Sequence, residues 1–237
     1  MVKIALTIVT SLGTVKSPRI SSYASKNDDY RISLSINNSF RFVWFIGIPI
    51  MFGLASISYR FVPWFFGPGY DDVISLMIIG SLLIMAIGIN NVSGIQFLMA
   101  TKRHNLFTIS VISAAAFNFF LNLILITKFG PIGAIISSVL AEILIILIHY
   151  FFTRKILKLD FIKMSDLKYV LFGFIMMVAV VVIGVYMRSN ILTTVVQIFA
   201  GTLIYSILLI VFKDENVGKI KDRVLSEVHK HVNKKEN

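Results

Sequence analysis

Glu142 is the residue of this 237-residue sequence whose type and position most strongly suggest chemistry, because it is a carboxylate within a long apolar run. It lies 10 residues from the end of the run Gly130–Phe152, which in a helix corresponds to a depth of about 15 Å. A carboxylate at that depth costs about 2.5–3.5 kcal/mol and should face the protein interior or a water-filled cavity. There it could bind a coupling proton or cation or hydrogen-bond a sugar hydroxyl. Alternatively, it could simply join two helices as a protonated or amide-paired carboxyl.

Two asparagines in the preceding apolar run are candidate partners of Glu142. Asn118 and Asn122 lie in Asn105–Thr127, one helical turn apart and therefore on one face. The connection 128–129 is so short that this run and the run of Glu142 should be antiparallel neighbours, and Asn118 is then the better depth match to Glu142. The pair either lines a polar route or simply joins helices.

Asn90 and Asn91 lie in the most polar stretch of any apolar run, residues 88–96 within Val73–Met99. Asn90 is about 14 Å deep, which is level with Glu142. The flanking glycines favour a locally unwound helix whose backbone lines a cavity. Close packing of helices through small residues is the alternative.

Two residues of the run Phe40–Phe61 complete the candidates. Pro49 removes one helical hydrogen bond and bends the helix, either as a hinge or as a fixed bend. Arg41 lies just inside the run, and we expect it to extend its guanidinium towards lipid phosphates. If it faced a cavity instead, it would attract an anionic head group.

The candidates are positioned by apolar runs that each suffice to cross a bilayer. The sequence is 57% hydrophobic and 15% charged, contains no cysteine, and lacks the common soluble-enzyme motifs, which excludes an ordinary cytosolic enzyme. Since about 20 apolar residues span the hydrocarbon core as a helix, we predict an all-α, polytopic membrane bundle. It has six full transmembrane spans, and the shorter run Val2–Thr14 is interpreted as one truncated N-terminal span. The six are Phe40–Phe61, Val73–Met99, Asn105–Thr127, Gly130–Phe152, Tyr169–Met187 and Ile191–Phe212.

The positive residues behind the net charge of +11 are unevenly divided between the two sides of the membrane. If alternate connections lie on opposite sides, 19 of the 23 Lys and Arg residues fall on one side and 4 on the other. Positive residues mark the cytoplasmic side, so the C-terminus and the loop 13–39 are predicted to be cytoplasmic. The same distribution argues against a nucleic-acid partner, because the basic residues form no recognition motif.

Two segments outside the spans are amphipathic. Asp28–Ser39 begins with Asn27 and Asp28 as candidate helix caps, and it should run into the first full span as a helix. Residues 214–237 carry apolar side chains at helical spacing among lysines. They form either a helix on an anionic leaflet or a solvated tail.

Six short motifs, in order along the chain, carry a resemblance to a known family. They are Pro18–Ser21, Gly47–Pro49, Phe66–Tyr70, Asn118–Ile126, Phe129–Ala134 and Ser137–Glu142. In these motifs the sequence resembles the polysaccharide transporter family. Its members are capsule and O-antigen repeat-unit flippases of the multidrug/oligosaccharidyl-lipid/polysaccharide exporter superfamily.

The resemblance implies a two-lobed helical exporter whose central cavity opens alternately to either side of a bacterial plasma membrane. The substrate would be an undecaprenyl-pyrophosphate-linked oligosaccharide. Residues 1–153 would then be part of the C-terminal lobe, 154–213 two additional helices, and 214–237 a basic cytoplasmic tail. The expected partners are the bilayer, the lipid-linked oligosaccharide and a missing N-terminal half, without which we expect no translocation.

In the intact transporter, one set of residues is expected to line the substrate or ion route. It comprises Glu142, Asn90, Asn91, Asn118, Asn122 and Arg41, with Pro49 as the hinge. No catalytic residue, metal site or cofactor is expected, apart from a coupling proton or sodium ion. The alternatives are a multidrug or cell-wall-precursor exporter of the same superfamily, a membrane-embedded polysaccharide polymerase, and a nonfunctional split-gene remnant.

Overall fold

A computed structural model describes residues 2–154, 156, 157, 159–214, 216 and 218 of the chain. Within these residues the secondary structure is helical, and α3 continues directly into a π-helix. The elements are α1 (Val2–Ser25), α2 (Asp29–Phe65), α3 (Asp72–Asn90), the π-helix (Asn91–Met99), α4 (His104–Phe129), α5 (Pro131–Thr153), a 3₁₀ turn (Met164–Asp166), α6 (Leu167–Tyr186) and α7 (Ile191–Val211).

Six helical segments among the described residues are long and apolar enough to cross a membrane, which confirms the predicted polytopic bundle. Their bounds follow the predicted spans closely; the predicted span Ile191–Phe212, for example, is α7. The largest difference is at α2, which begins at Asp29 because the Asp28 carboxylate accepts a hydrogen bond from the Arg31 N–H at 3.0 Å. The predicted cap and lead-in helix are therefore confirmed.

The predicted connection 13–39 is largely helical, and residues 13–25 in particular are not a loop. α1 continues through Pro18 to Ser25, and α2 begins four residues later, so the connection is only residues 26–28. Asn27 adopts a positive φ of 53° in this turn. The basic side chains of this region are therefore displayed on two helix ends that meet in a tight turn.

α2 is the central helix of the bundle. It contacts α1, α3, the π-helix, α6 and α7, whereas α5 joins the bundle through α3, and α4 packs mainly on α5. The largest fully buried side chains include Phe40 of α2, Phe97 of the π-helix and Phe172 of α6. In α4, all of whose residues are described, only Ser110 and Ala114 are buried, so most of this helix faces outward.

The hairpin of α4 and α5 depends on glycine. Gly130 joins the two helices with φ of +56° and ψ of −133°, a conformation that side chains with a Cβ rarely adopt. One turn later, a Cβ on Gly133 would collide with the carbonyl of Leu125. These two glycines bring α4 and α5 together as the antiparallel neighbours that the short connection predicts.

Pro49 lies inside α2 without ending it. Because proline has no N–H, the carbonyl of Phe45 one turn earlier lacks its helical donor. The hydroxyl of Tyr205 on α7 donates to this carbonyl at 3.0 Å, and both residues are buried. The turn of α2 that precedes Pro49 is thus bonded to α7, and the bend and the hinge role of Pro49 stay predictions.

We expect Tyr205→Phe to lower the free energy of unfolding by about 1–3 kcal/mol, because it leaves the buried Phe45 carbonyl without a donor. The measurement is thermal unfolding of the purified chain in detergent. In a Pro49→Ala background the same change should have a smaller effect, since an alanine N–H can take over the carbonyl. Equal losses in both backgrounds would contradict the link between Tyr205 and Pro49.

A buried polar cluster joins the start of α6 to the residues after α7. Asp214 is 2% exposed. Its carboxylate pairs with Lys168 Nζ at 2.5 Å and accepts hydrogen bonds from the Tyr169 hydroxyl at 2.9 Å and the Asn216 N–H at 2.8 Å. Burial alone would raise the pKa of Asp214, but the bonds from Lys168, Asn216 and Tyr169 together hold it below its usual value. The predicted tail 214–237 otherwise lies outside the described residues.

The lowered pKa makes Asp214 a source of acid sensitivity. Its stabilising effect is complete above the pKa of an unfolded aspartate, about 3.9, and is lost as the pH falls through the lower folded-state pKa. Between pH 4 and 2 the thermal midpoint of the wild type should therefore fall more steeply than that of Asp214→Asn. Asp160→Asn, at an exposed carboxylate, is the matched control; parallel wild-type and Asp214→Asn profiles would contradict the assignment.

Candidate functional site

Asn90 and Glu142 form a polar pair between α3 and α5, inside two of the membrane spans. The amide Nδ2 of Asn90 donates to Oε2 of Glu142 at 2.6 Å and to its backbone carbonyl at 2.9 Å. Asn90 is 7% exposed, whereas Glu142 is half-buried. Residues that the sequence placed at one depth are therefore in direct contact.

Oxygen atoms of both residues in the pair can still accept hydrogen bonds. Both amide hydrogens of Asn90 go to Glu142, and its buried Oδ1 has no hydrogen-bond partner among the described residues. The carboxyl of Glu142 receives this one side-chain hydrogen bond from the described part of the chain. A proton, a small cation or a substrate hydroxyl can therefore still bind to the half-buried carboxyl.

Asn118 and Asn122 form a second polar group, on the hairpin of α4 and α5. Asn122 Nδ2 donates to Asn118 Oδ1 at 2.9 Å, and the Ser137 hydroxyl of α5 donates to Asn122 Oδ1. Both asparagines are half-buried. The side-chain partner of Glu142 is thus Asn90 and not Asn118, because Asn118 bonds along its own helix.

The predicted unwinding around Asn90 and Asn91 is wrong. The segment Asn91–Met99 is wound as a π-helix, in which Gln96 Nε2 donates to Asn91 Oδ1 at 3.2 Å. Gly88 instead permits close packing, since a Cβ there would lie 2.8 Å from a methyl carbon of Val43. The small residues of this stretch therefore serve helix packing, which was the alternative interpretation.

Arg41 does not extend towards lipid phosphates. Its Nε lies 3.8 Å from Oδ1 of Asp166, just before α6, and the two side chains are only 15% and 4% exposed. The guanidinium neutralises a buried carboxylate between α2 and the turn before α6. The sequence alone did not reveal this pairing, because the two residues are 125 positions apart.

An apolar cavity of about 510 Å³ lies between α2, α6 and α7. Its walls include Ile46, Pro49 and Leu54 of α2, Met176 of α6 and Ile198 of α7. The part of α2 around Pro49 thus borders both this cavity and α7. The cavity is formed by a different set of helices from the pair of Asn90 and Glu142.

His149 is a buried ionisable residue that sequence reasoning missed. It is fully buried on α5, and its two ring nitrogens lie 2.8 Å from the hydroxyls of Ser93 and Ser110. The signal was present, since His149 is an ionisable side chain inside the apolar run Gly130–Phe152, the criterion that identified Glu142.

No family model matches the chain. The chain is 25% identical over 224 residues to an uncharacterised membrane protein, MJ1068, of Methanocaldococcus jannaschii, covering 93% of this chain and 43% of that protein. It is 23% identical over 207 residues to a probable low-salt glycan biosynthesis flippase, Agl15, of Haloferax volcanii, covering 83% of this chain and 42% of that protein.

A solved structure has a similar fold. The lipid II flippase MurJ, in an inward closed conformation, matches with a TM-score of 0.71 and 24% sequence identity, over 90% of this chain and 47% of that chain. The chain therefore spans less than half the length of each of these proteins. It is a multi-pass helical protein, similar in fold to one flippase and in sequence to a protein named as another.

Loss of the Asn90 side chain should measurably destabilise the bundle. We expect Asn90→Ala to lower the free energy of unfolding by about 1–2 kcal/mol, because the polar groups of Glu142 lose their donor. Glu142→Gln should have little effect, since the amide oxygen still accepts the bond from Asn90. Thermal unfolding in detergent tests both, with Ser138→Ala as the control because the Ser138 hydroxyl donates to the Ala134 carbonyl within α5. An unchanged midpoint in Asn90→Ala would contradict the pairing.

Proposed function

We propose that the chain is part of a flippase that moves a lipid-linked oligosaccharide across a membrane by alternating access. The observation that carries the proposal is the pair of Asn90 and Glu142, a half-buried carboxyl held by an amide inside two adjacent spans. An intramembrane ionisable residue is by default a marker of a substrate or ion pathway. The likeness in fold to MurJ and in sequence to Agl15 also supports the proposal of a flippase.

A flippase substrate is amphipathic, and this bundle offers both kinds of surface. The pair on α3 and α5 can bond hydroxyl groups of a saccharide, because its acceptors are not saturated. The cavity between α2, α6 and α7 is mainly apolar, and its volume of about 510 Å³ lies within the usual range of ligand sites. It suits a segment of hydrocarbon chain, which needs no hydrogen-bonding partner.

We also propose a specific substrate and a second lobe for the transporter. The saccharide would be an undecaprenyl-pyrophosphate-linked repeat unit of a capsule or O-antigen. Because the chain spans less than half the length of Agl15 and MurJ, we propose that it acts with a second lobe as the C-terminal part of the transporter. The ends that carry Lys102, Arg103 and Arg154 would face the cytoplasm, in accordance with the distribution of positive charge.

We further propose that Glu142 binds the coupling ion, a proton or sodium ion, in alternation with substrate. A carboxyl that accepts one amide bond can take up a proton without loss of that bond. Uptake removes the cost of a charge in the membrane, so the neutral state favours movement of the helices. Asn118, Asn122 and Ser137 supply further oxygen atoms along the neighbouring hairpin.

The test is complementation in a strain that lacks the gene of this chain but still produces the second lobe. Deletion should cause a lipid-linked oligosaccharide to accumulate and the surface glycan to decrease, and the wild-type chain should reverse both effects. Glu142→Gln, expressed at the same level, should reduce export at least about ten-fold, which corresponds to about 1.4 kcal/mol lost from the transport step. The measurement is mass spectrometry of extracted lipid-linked saccharides together with the amount of surface glycan.

Ser138→Ala is the matched control, since it alters the same helix without touching the pair. Unchanged export by Glu142→Gln would remove Glu142 from the mechanism. If the lipid that accumulates is a cell-wall precursor, the substrate class is the alternative one. If no lipid-linked saccharide accumulates, or if the purified protein forms new glycosidic bonds, the flippase proposal fails.

A further inference from the structure

His149 joins three helical elements in the interior of the bundle. It lies on α5, its Nδ1 is 2.8 Å from the hydroxyl of Ser93 in the π-helix, and its Nε2 is 2.8 Å from the hydroxyl of Ser110 on α4. All three residues are 0% exposed. Each ring nitrogen thus has one partner, on a different element.

The two serine hydroxyls and a neutral imidazole supply three hydrogen atoms, which is fewer than the four close polar contacts that these side chains make. Ser93 Oγ also lies 3.0 Å from the carbonyl of Ile89, and Ser110 Oγ lies 2.7 Å from that of Phe107. A neutral imidazole donates through one nitrogen and accepts through the other. One serine therefore donates to its own helix and accepts from the ring, while the other donates to the ring. The serines and the histidine hold one another in place.

The π-helix depends on contacts that an α-helix could not make. Side chains five residues apart lie on one face of a π-helix, and the bond from Gln96 to Asn91 has this spacing. In an α-helix the two side chains would point about 140° apart. Gly94 admits the ring of His149 closely, since a Cβ there would lie 3.0 Å from its Cε1 and 2.9 Å from a ring carbon of Phe107.

His149 and Glu142 share one face of α5. They are seven residues apart, two helical turns, and both bond to the continuous helix formed by α3 and the π-helix. Asn90 is the last residue of α3, and Ser93 lies three residues further on. The winding after Asn90 therefore sets how Asn90 and Ser93 can contact α5 at the same time.

We propose that His149 is a positioning residue that holds residues 91–99 in the π-helical winding through Ser93 and so keeps Asn90 against Glu142. Release of this bond allows the segment to rewind as an α-helix, which rotates the side chains that follow Asn90. The role in transport rests on the function proposed above, whereas the role in winding does not. The bond to Ser110 serves only to attach α4.

Two substitutions of His149 distinguish its hydrogen bond to Ser93 from its hydrogen bond to Ser110. The amide of Asn lies as many bonds from Cβ as Nδ1 of histidine, so His149→Asn can keep the contact with Ser93. The amide of Gln corresponds in the same way to Nε2, so His149→Gln can keep the contact with Ser110. Ser110→Ala and Ser93→Ala are the matching changes on the opposite side of each bond.

Winding can be read by thiol labelling, because the chain contains no cysteine. Leu98 is 0% exposed and Met99 is 37% exposed, so a maleimide should label Met99→Cys and spare Leu98→Cys when the π-helix is present. His149→Gln and Ser93→Ala should increase the labelling of Leu98→Cys about five-fold, the shift expected for the net loss of one hydrogen bond. His149→Asn and Ser110→Ala should leave the labelling unchanged.

Export measured in the complementation strain should follow the same division, with a loss in His149→Gln and retention in His149→Asn. Equal labelling in the two variants, whether high or low, would overturn the proposal. So would loss of export in His149→Asn while Leu98→Cys stays protected. If the wild type moves no lipid-linked saccharide, the proposed function fails, but the labelling result still decides the role of His149 in winding.

Discussion

The hydrocarbon interior of a membrane supplies no water, so a polar group within it is costly unless it bonds to another group of the protein. This constraint explains how the helices of the bundle are joined. The carbonyl that Pro49 releases on α2 takes the hydroxyl of Tyr205 from α7, and Glu142 on α5 takes the amide of Asn90 from α3. Each such bond connects one pair of helices at a fixed height, and apolar side chains fill the space between them.

The same bonds are well suited to rearrangement. Interhelical hydrogen bonds in membranes contribute only about 0.6 kcal/mol on average, so exchange of one partner is within reach of ligand or ion binding. The pair of Asn90 and Glu142 lies directly beside the π-helix 91–99, an uncommon winding that often marks functional sites.

The polar pair and the apolar cavity lie on different helices, with α2 and α3 in contact between them. The separation suits the amphipathic substrate proposed above, because a saccharide gains from hydrogen bonds whereas a hydrocarbon chain does not. Lys168, at the start of α6, forms an ion pair with Asp214, which follows α7, and so joins these two helices. The opposite charges of Lys168 and Asp214 thus neutralise each other within the protein.

The sequence by itself determined the six spans and the common depth of Asn90 and Glu142, because hydropathy and the rise per residue act locally. It did not determine the partner of Asn118, the ion pair of Arg41 or the position of His149 between two serines. These depend on the rotation of each helix about its axis, which is set by packing against helices distant in the sequence. Only the tertiary structure decided them, since side chains at equal depth meet only if their helices turn them towards each other.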